Sequence, residues 1–446
     1  LAEDSAIERP KIGALEVETE TRAANAAATG GRRDSGLLGA PVSLNAAYVQ
    51  LVLGADTVRA PLALNLAVID PVRPMVAAAA DPVPVGGTND GYVVGRPEPG
   101  GVSHYFWPNG TEFVVTGERA GDFRVQLTDD LTAYAAATEL RLLPEGTPRP
   151  ASLVSNVTIS ADTGFIDVRF PLNRKLPFWV EEGENTLAVW LYGATSATDW
   201  LIYGKREPLV ERAWWDQPRN DVYRLNISLS KPVWGYQTFW NERGHLILRI
   251  RKPPAINAQS PLRGLLVTVD PGHGPPEGRW GPTRLTESQA NLAIAFRLRD
   301  LIQAAGGSVQ LTRTDSSAVG LYDRPAMSTR ANADLFVSIH NNAVGDGVNP
   351  YTNHGTSTFF FHANSAALAR AVQNELVNDL GLPDLGYVRA SLAVVRWPTW
   401  MPAILTEALF FMMPVQEAAL RNPAVIDRIA RAHLRGMEAF LRARAR

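Results

Sequence analysis

The 446-residue chain contains no cysteine. That excludes disulfide scaffolds and thiolate metal sites, and leaves His, Asp and Glu as its only strong metal ligands. It also lacks any apolar run approaching the roughly 20 residues that cross a bilayer, so no transmembrane segment is expected. Neither sign of charge dominates: 43 basic residues are scattered among 45 acidic ones, for a formal net charge of −2. A nucleic-acid groove needs clustered Lys and Arg, so nucleic acid is not expected as a partner. The chain opens on Leu1 rather than Met and shows no charged stretch leading into a short apolar one, which fits an export signal already cleaved.

This length exceeds a single core, and two to four domains are expected. Residues 1–80 are Ala-rich and weakly patterned, with a linker-like Gly30-Gly-Arg-Arg-Asp-Ser-Gly36; they read as an arm or a small β unit. Residues 84–145 hold short strands between turn signals such as Pro108-Asn-Gly110, spacing that suits a small barrel. This part resembles a bacterial SH3-like domain, most closely from Gly110 to Leu127. A Pro/Gly linker, Pro144 to Pro150, leads into residues 153–252, where apolar alternation in Phe165-Ile-Asp-Val-Arg-Phe170 and Val222 to Leu229 predicts a half-buried antiparallel sheet or sandwich. Seven of the eleven Trp residues fall there, at 179, 190, 200, 214, 215, 234 and 240, and packing between two sheets is their expected role. In position and pattern this block resembles the AMIN domain, an envelope-targeting module.

From about residue 260 strands alternate with helices, which predicts an α/β layered domain over 260–446, a mixed sheet with flanking helices. Thr286 with Gln289 forms a capping box, so a helix should start at Glu287 and stop at Gly306-Gly. Asn364 or Ser365 should cap a second helix ending at Gly381, and Asn422-Pro423 should start the last, striped by Ile426, Ile429, His433, Met437 and Phe440. The expected whole is a multidomain protein, all-β modules first and an α/β domain last.

Strand Leu265–Val269 runs into Asp270-Pro-Gly-His273, and strand Leu335–Ile339 ends directly in His340. Strand ends are where an open α/β sheet places its ligand site. Two imidazoles and the carboxylate of Glu287 can hold a zinc ion and leave a position open for water. Glu407 closes the apolar run Pro402-Ala-Ile-Leu-Thr; a charge there costs too much without a partner or a task, and taking a proton from water is such a task. His354 and His362 offer nitrogen ligands as well, but their surroundings point to structural roles.

Taken together, Asp270-Pro-Gly-His273-Gly, Glu287 with Asn291, Leu311-Thr-Arg313, Leu321 with Arg324, Ser338-Ile-His340-Asn-Asn342 and Pro402-Ala-Ile-Leu-Thr-Glu407 resemble the zinc-dependent N-acetylmuramoyl-L-alanine amidases of the Amidase_3 type. The resemblance implies His273, Glu287 and His340 as zinc ligands and Glu407 as the catalytic carboxylate. It implies peptidoglycan as substrate, cleavage between muramic acid and L-alanine, and an exported protein, periplasmic or envelope-associated, with other envelope proteins as further partners. Three departures stand out: Pro275-Pro276 after Gly274, Leu409 where the family carries glycine, and Trp280 in the Gly274–Thr286 loop. Two other readings share these residues. One is a wall-binding scaffold whose amidase domain is inactive, and the other a zinc peptidase or deacetylase. The short Ala343–Gly355 connection leaves no room for a helix that plugs the site.

Overall fold

The computed structural model describes residues 75–79, 92–274, 280–345 and 347–445, together with the strands Glu16–Thr19, Ala47–Leu53, Asp56–Leu62 and Leu66–Val68. The Gly30–Gly36 linker and the Pro275-Pro276 departure lie outside the described residues. The chain divides into two compact units, Leu1–Asp81 with Val93–Pro150, and Pro82–Tyr92 with Ala151–Arg446.

In the first unit, strands run in the order Thr132–Ala136, Asp122–Gln126, Glu112–Arg119, Met75–Ala79, Leu140–Leu142, and Leu66–Val68 pairs with Glu112–Arg119. Met75–Ala79, which the sequence places in the N-terminal arm, is an inner strand of this sheet. Its Ala-rich stretch suits that position, because its small side chains are buried and Ala77 stands opposite the buried Phe113 without crowding.

The second unit begins with two largely antiparallel sheets. A five-stranded sheet includes Val157–Ala161, Phe165–Phe170 and Leu246–Arg251, and a four-stranded sheet joins Phe178–Glu182, Thr186–Tyr192, Val222–Leu229 and Val210–Arg219. Every second residue is buried, as in Leu187, Val189 and Leu191 opposite Ile227, Leu225 and Tyr223. The tryptophans depart from expectation. Only Trp234 is fully buried, while Trp200 is 69% exposed and the other five are half-buried. The pleat explains this for two of them: Trp179 pairs with Trp190, and both stand at the outward positions of their strands.

The remainder is an α/β layer around one mixed sheet, ordered Ser308–Leu311, Leu266–Pro271, Leu335–Asn342, Ala403–Phe410, Thr356–Phe360, Asp384–Arg389. The first four are parallel, and Thr356–Phe360 runs antiparallel to Ala403–Phe410. The helices are α1 (Glu287–Ala304), α2 (Asp323–Arg330), α3 (Ala366–Leu380), α4 (Ala393–Arg396), α5 (Pro414–Leu420) and α6 (Pro423–Arg444). Val267, Val269, Val337 and Ile339 face α1, α3 and α6 in one cluster with Ile294, Leu298, Val372, Ile429 and Met437. Full burial of each such side chain contributes roughly 1.5–3 kcal/mol, so this cluster holds the layer together. On the other face Phe336, Ala403 and Leu405 pack against Val394 and Val395 of α4.

The Thr286–Gln289 capping box is present, and Asn422 caps α6 through Ala424 N–H. At α3 Ser365 is the N-cap residue and Gly381 the C-cap, as expected, but no side-chain cap forms. A short 3-10 turn, Ala363–Ser365, precedes the helix, and Ser365 makes no capping bond because its hydroxyl donates to Asn364 and accepts from Ala403 N–H. Leu409 is buried in the cluster beneath the helices, and no helix occurs among the described residues of 343–355.

Candidate metal centre

The strand Leu266–Pro271 carries Asp270 to a fully buried position, where its carboxylate accepts from Ser338 Oγ (2.6 Å), Thr312 Oγ1 (2.5 Å) and Arg324 Nη1 (2.7 Å). Burial works against this charge, but the guanidinium and the two hydroxyls outweigh it and hold the pKa below the ordinary carboxylate range. Asp270 is therefore an anchor, not a ligand. From it the chain turns through Gly272, where an added Cβ would lie 2.2 Å from the His340 ring, so only glycine fits. His273 then adopts φ of 62°, a left-handed conformation rare for a side chain of this size. Arg324 Nη2 holds the His273 carbonyl at 2.8 Å, and Arg313 holds the carbonyls of Pro271, Gly272 and Ser288. Two buried arginines thus fix a strained turn.

His340 lies inside the strand Leu335–Asn342 rather than just past its end, paired with Glu407 on the neighbouring strand. Glu287 opens α1. Its carboxylate bridges the two imidazoles, Oε2 at 2.9 Å from His273 Nε2 and Oε1 at 3.0 Å from His340 Nδ1. The donor atoms of His273, Glu287 and His340 all lie within 4.8 Å of one another, close enough for one metal ion. Asn291, one helical turn on, donates to Glu287 Oε1 and to the Gly272 carbonyl, while Asn341 N–H donates to the same Oε1. Burial opposes ionisation of Glu287, yet the hydrogen bonds and charge of the two histidines hold its pKa far below the usual range. Bonds of this kind orient ligands in advance of a metal.

Glu407 stands in the middle of the strand Ala403–Phe410, not at its end, between His340 on one side and Ser357 on the other. Its Oε2 is shut off from solvent and has no hydrogen-bond partner among the described residues. Burial, reinforced by the charge of Glu287, raises its pKa well above the ordinary value. The other two histidines that the sequence offers as nitrogen ligands are occupied elsewhere: His354 Nδ1 lies 3.0 Å from the Pro350 carbonyl, and His362 sits between Glu182 and the Arg396 carbonyl.

Residues 267–439 match the Amidase_3 family, N-acetylmuramoyl-L-alanine amidase. This part of the chain is an Amidase_3 domain. The chain is 31% identical over 188 residues to the N-acetylmuramoyl-L-alanine amidase LytC of Bacillus subtilis (strain 168), covering 41% of this chain and 37% of that protein. It is 28% identical over 193 residues to the germination-specific N-acetylmuramoyl-L-alanine amidase of the same organism, covering 40% of this chain and 80% of that one. A solved N-acetylmuramoyl-L-alanine amidase from Clostridium difficile 630 is 31% identical, with 40% of this chain and 96% of that one covered, at a TM-score of 0.38. The Amidase_3 domain spans well under half of LytC, and the family is one of metal-dependent enzymes, which the His/Glu/His cluster suits.

Sequence reasoning missed two contributors to the Amidase_3 site. Asn341 reads as one of a pair of asparagines, yet it bonds both Glu287 and Asn291. Glu417, in α5, is buried and accepts the N–H groups of Thr283 and Leu285 just ahead of Glu287. A glutamate in a short helix carries no local signal of such a task.

Proposed function

We propose that the Amidase_3 domain is a zinc-dependent N-acetylmuramoyl-L-alanine amidase, cleaving the amide between the lactyl group of muramic acid and the L-alanine of the stem peptide in peptidoglycan. The observation that carries this reading is the convergence of His273, Glu287 and His340 beside the orphaned carboxyl of Glu407. The two imidazole nitrogens and the carboxylate fit a zinc ion in donor type and spacing. A zinc ion held there would supply Lewis acidity, making water a better nucleophile near neutral pH and polarising a carbonyl. The protein's own part is positional. Asn291 and Asn341 keep Glu287 aimed at both histidines, and Arg324 keeps the His273 turn closed. Glu407, whose carboxyl is left without a hydrogen-bond partner beside this cluster, would take a proton from water and return it to the leaving amine.

The β modules fit targeting to the wall, with the SH3-like reading for the first and the AMIN-like reading for the second. The relatives described above are named as N-acetylmuramoyl-L-alanine amidases, and a peptidoglycan substrate fits a protein working outside the cytoplasm, in the periplasm or at the envelope, alongside other envelope proteins. No helix among the described residues is long and apolar enough to cross a membrane. Elemental analysis tests the metal assignment: one zinc per chain is expected, and a folded protein that refuses zinc would support the scaffold reading instead.

A further inference from the structure

The sequence between Gly274 and Thr286 departs from the family, and its described end forms a hairpin that leads straight into Glu287. Trp280 pairs with Thr286 across an antiparallel bridge, Gly281 N–H donates to the Leu285 carbonyl at 2.9 Å, and Arg284 N–H to the Gly281 carbonyl at 3.0 Å. Residues opposed across such a bridge lie about 5 Å apart at Cα. Trp280 is thus held within a few ångströms of the backbone that precedes a metal-ligand candidate.

The hairpin is pinned from below. Glu417 Oε2 accepts Thr283 N–H at 2.7 Å and Oε1 accepts Leu285 N–H at 2.8 Å, while Arg421 Nη2 donates to the Thr283 carbonyl at 2.9 Å. A Cβ at Gly281 would sit 2.4 Å from Glu417 Cδ, so glycine lets the hairpin close onto that carboxylate. Arg284 takes φ of 70°, and its guanidinium lies over the Trp280 indole at 4.9 Å. Left-handed backbone at a non-glycine residue persists only where surrounding contacts over-determine it. Trp280 nevertheless remains 60% exposed. An apolar ring stacked on one side, open to water and mounted on fixed backbone beside the metal centre suits a flat ligand, because little ordering remains to be done on binding.

We propose that the Trp280–Arg284 hairpin is a glycan subsite, with the open face of the indole stacking on a pyranose ring next to the muramic acid whose amide is cleaved. This rests on the amidase reading above. Arg284 keeps the indole upright and offers N–H donors to the acetamido or hydroxyl oxygens of the same sugar.

The test compares steady-state hydrolysis of a muramoyl-peptide carrying one sugar with that of disaccharide- and tetrasaccharide-peptides, by wild type, Trp280→Ala and Trp280→Phe. Trp280→Ala should raise KM on the longer glycans roughly five- to tenfold, the scale of one lost stacking contact, with kcat within about twofold. On the single-sugar substrate all three proteins should agree within about twofold, and Trp280→Phe should recover most of the loss. An equal fall on every substrate, or no change on any, overturns the subsite. A wild type that cleaves none of the three overturns the amidase reading beneath it, and the subsite with it.

Discussion

Glu182, on a strand of the four-stranded sheet, and His362, at the end of the sheet strand Thr356–Phe360, lie 2.7 Å apart through Oε1 and Nδ1. The same carboxylate accepts the Tyr236 hydroxyl and Ala363 N–H. Burial works against its charge, and these donors together outweigh that penalty. The contact is one of several between the β sheets and the Amidase_3 domain. Trp234 packs against Phe440 of α6, Arg251 pairs with buried Asp334, and Tyr236 exchanges bonds with Thr399. Residues 151–446 thus belong to one compact unit, and a fragment cut at about 258 would bare the surface around Phe440.

Glu182→Gln turns an N–H donor toward groups that are themselves donors, and removing one partner of a buried pair typically costs about 3 kcal/mol. Urea unfolding of residues 151–446 should show one transition, shifted to lower urea by that amount in the variant. Two separate transitions, with only the first shifted, would show that the layers fold independently.

Arg324 ties the Asp270 carboxylate to the His273 carbonyl. Arg324→Ala leaves Asp270 buried without its cation and should destabilise the protein by about 3–5 kcal/mol. It should also weaken zinc binding, measured by competition with a chelator, because the left-handed His273 turn loses its clasp. Unchanged zinc affinity in a folded variant would contradict that coupling.

His433 of α6 lies fully buried, its Nδ1–H donating to the Ile429 carbonyl and its Nε2 facing Thr406 Oγ1. Burial pushes its pKa down to about 4, against a small opposing effect of the Ile429 bond. A histidine depressed in the folded state contributes stability above its unfolded pKa, about 6.5, and that contribution is lost as the pH falls toward 4. The loss amounts to about 3 kcal/mol across that window. Chemical unfolding of metal-free protein at pH 7 and pH 4.5 should reveal it, with a shallower slope in His433→Gln. Parallel slopes in the two proteins would rule out His433 as the source.

Metal holding and proton transfer separate by mutation. His340→Ala leaves two protein ligands and should abolish zinc retention. Glu407→Gln should keep both zinc and fold and lower kcat by at least about 100-fold, since a nearly isosteric amide cannot take a proton. Zinc retained by His340→Ala would refute the ligand set, and near-normal turnover in Glu407→Gln would place the base elsewhere.

The local signals in this sequence were legible. The Thr286–Gln289 box, the Asn422-Pro423 start and the apolar stripe of α6 each depend on residues within a turn or two, and the structure follows them. Long-range partnerships were not. Asp270 meets Thr312, Arg324 and Ser338 across 42, 54 and 68 residues, and no pattern in the chain announces which polar groups will share a core. Glu407 falls within its strand because the parallel pairing with His340 continues past it. The tryptophans mislead for a related reason: composition counts aromatics, but the pleat decides which face they occupy.

The most direct test of the central claim is mass spectrometry of the products formed when zinc-loaded residues 151–446 digest purified muropeptides. The amidase reading predicts glycans that retain an intact lactyl group together with free peptides that begin in L-alanine. Cleavage within the peptide, loss of acetyl groups alone, or no product from fully zinc-loaded protein would contradict it.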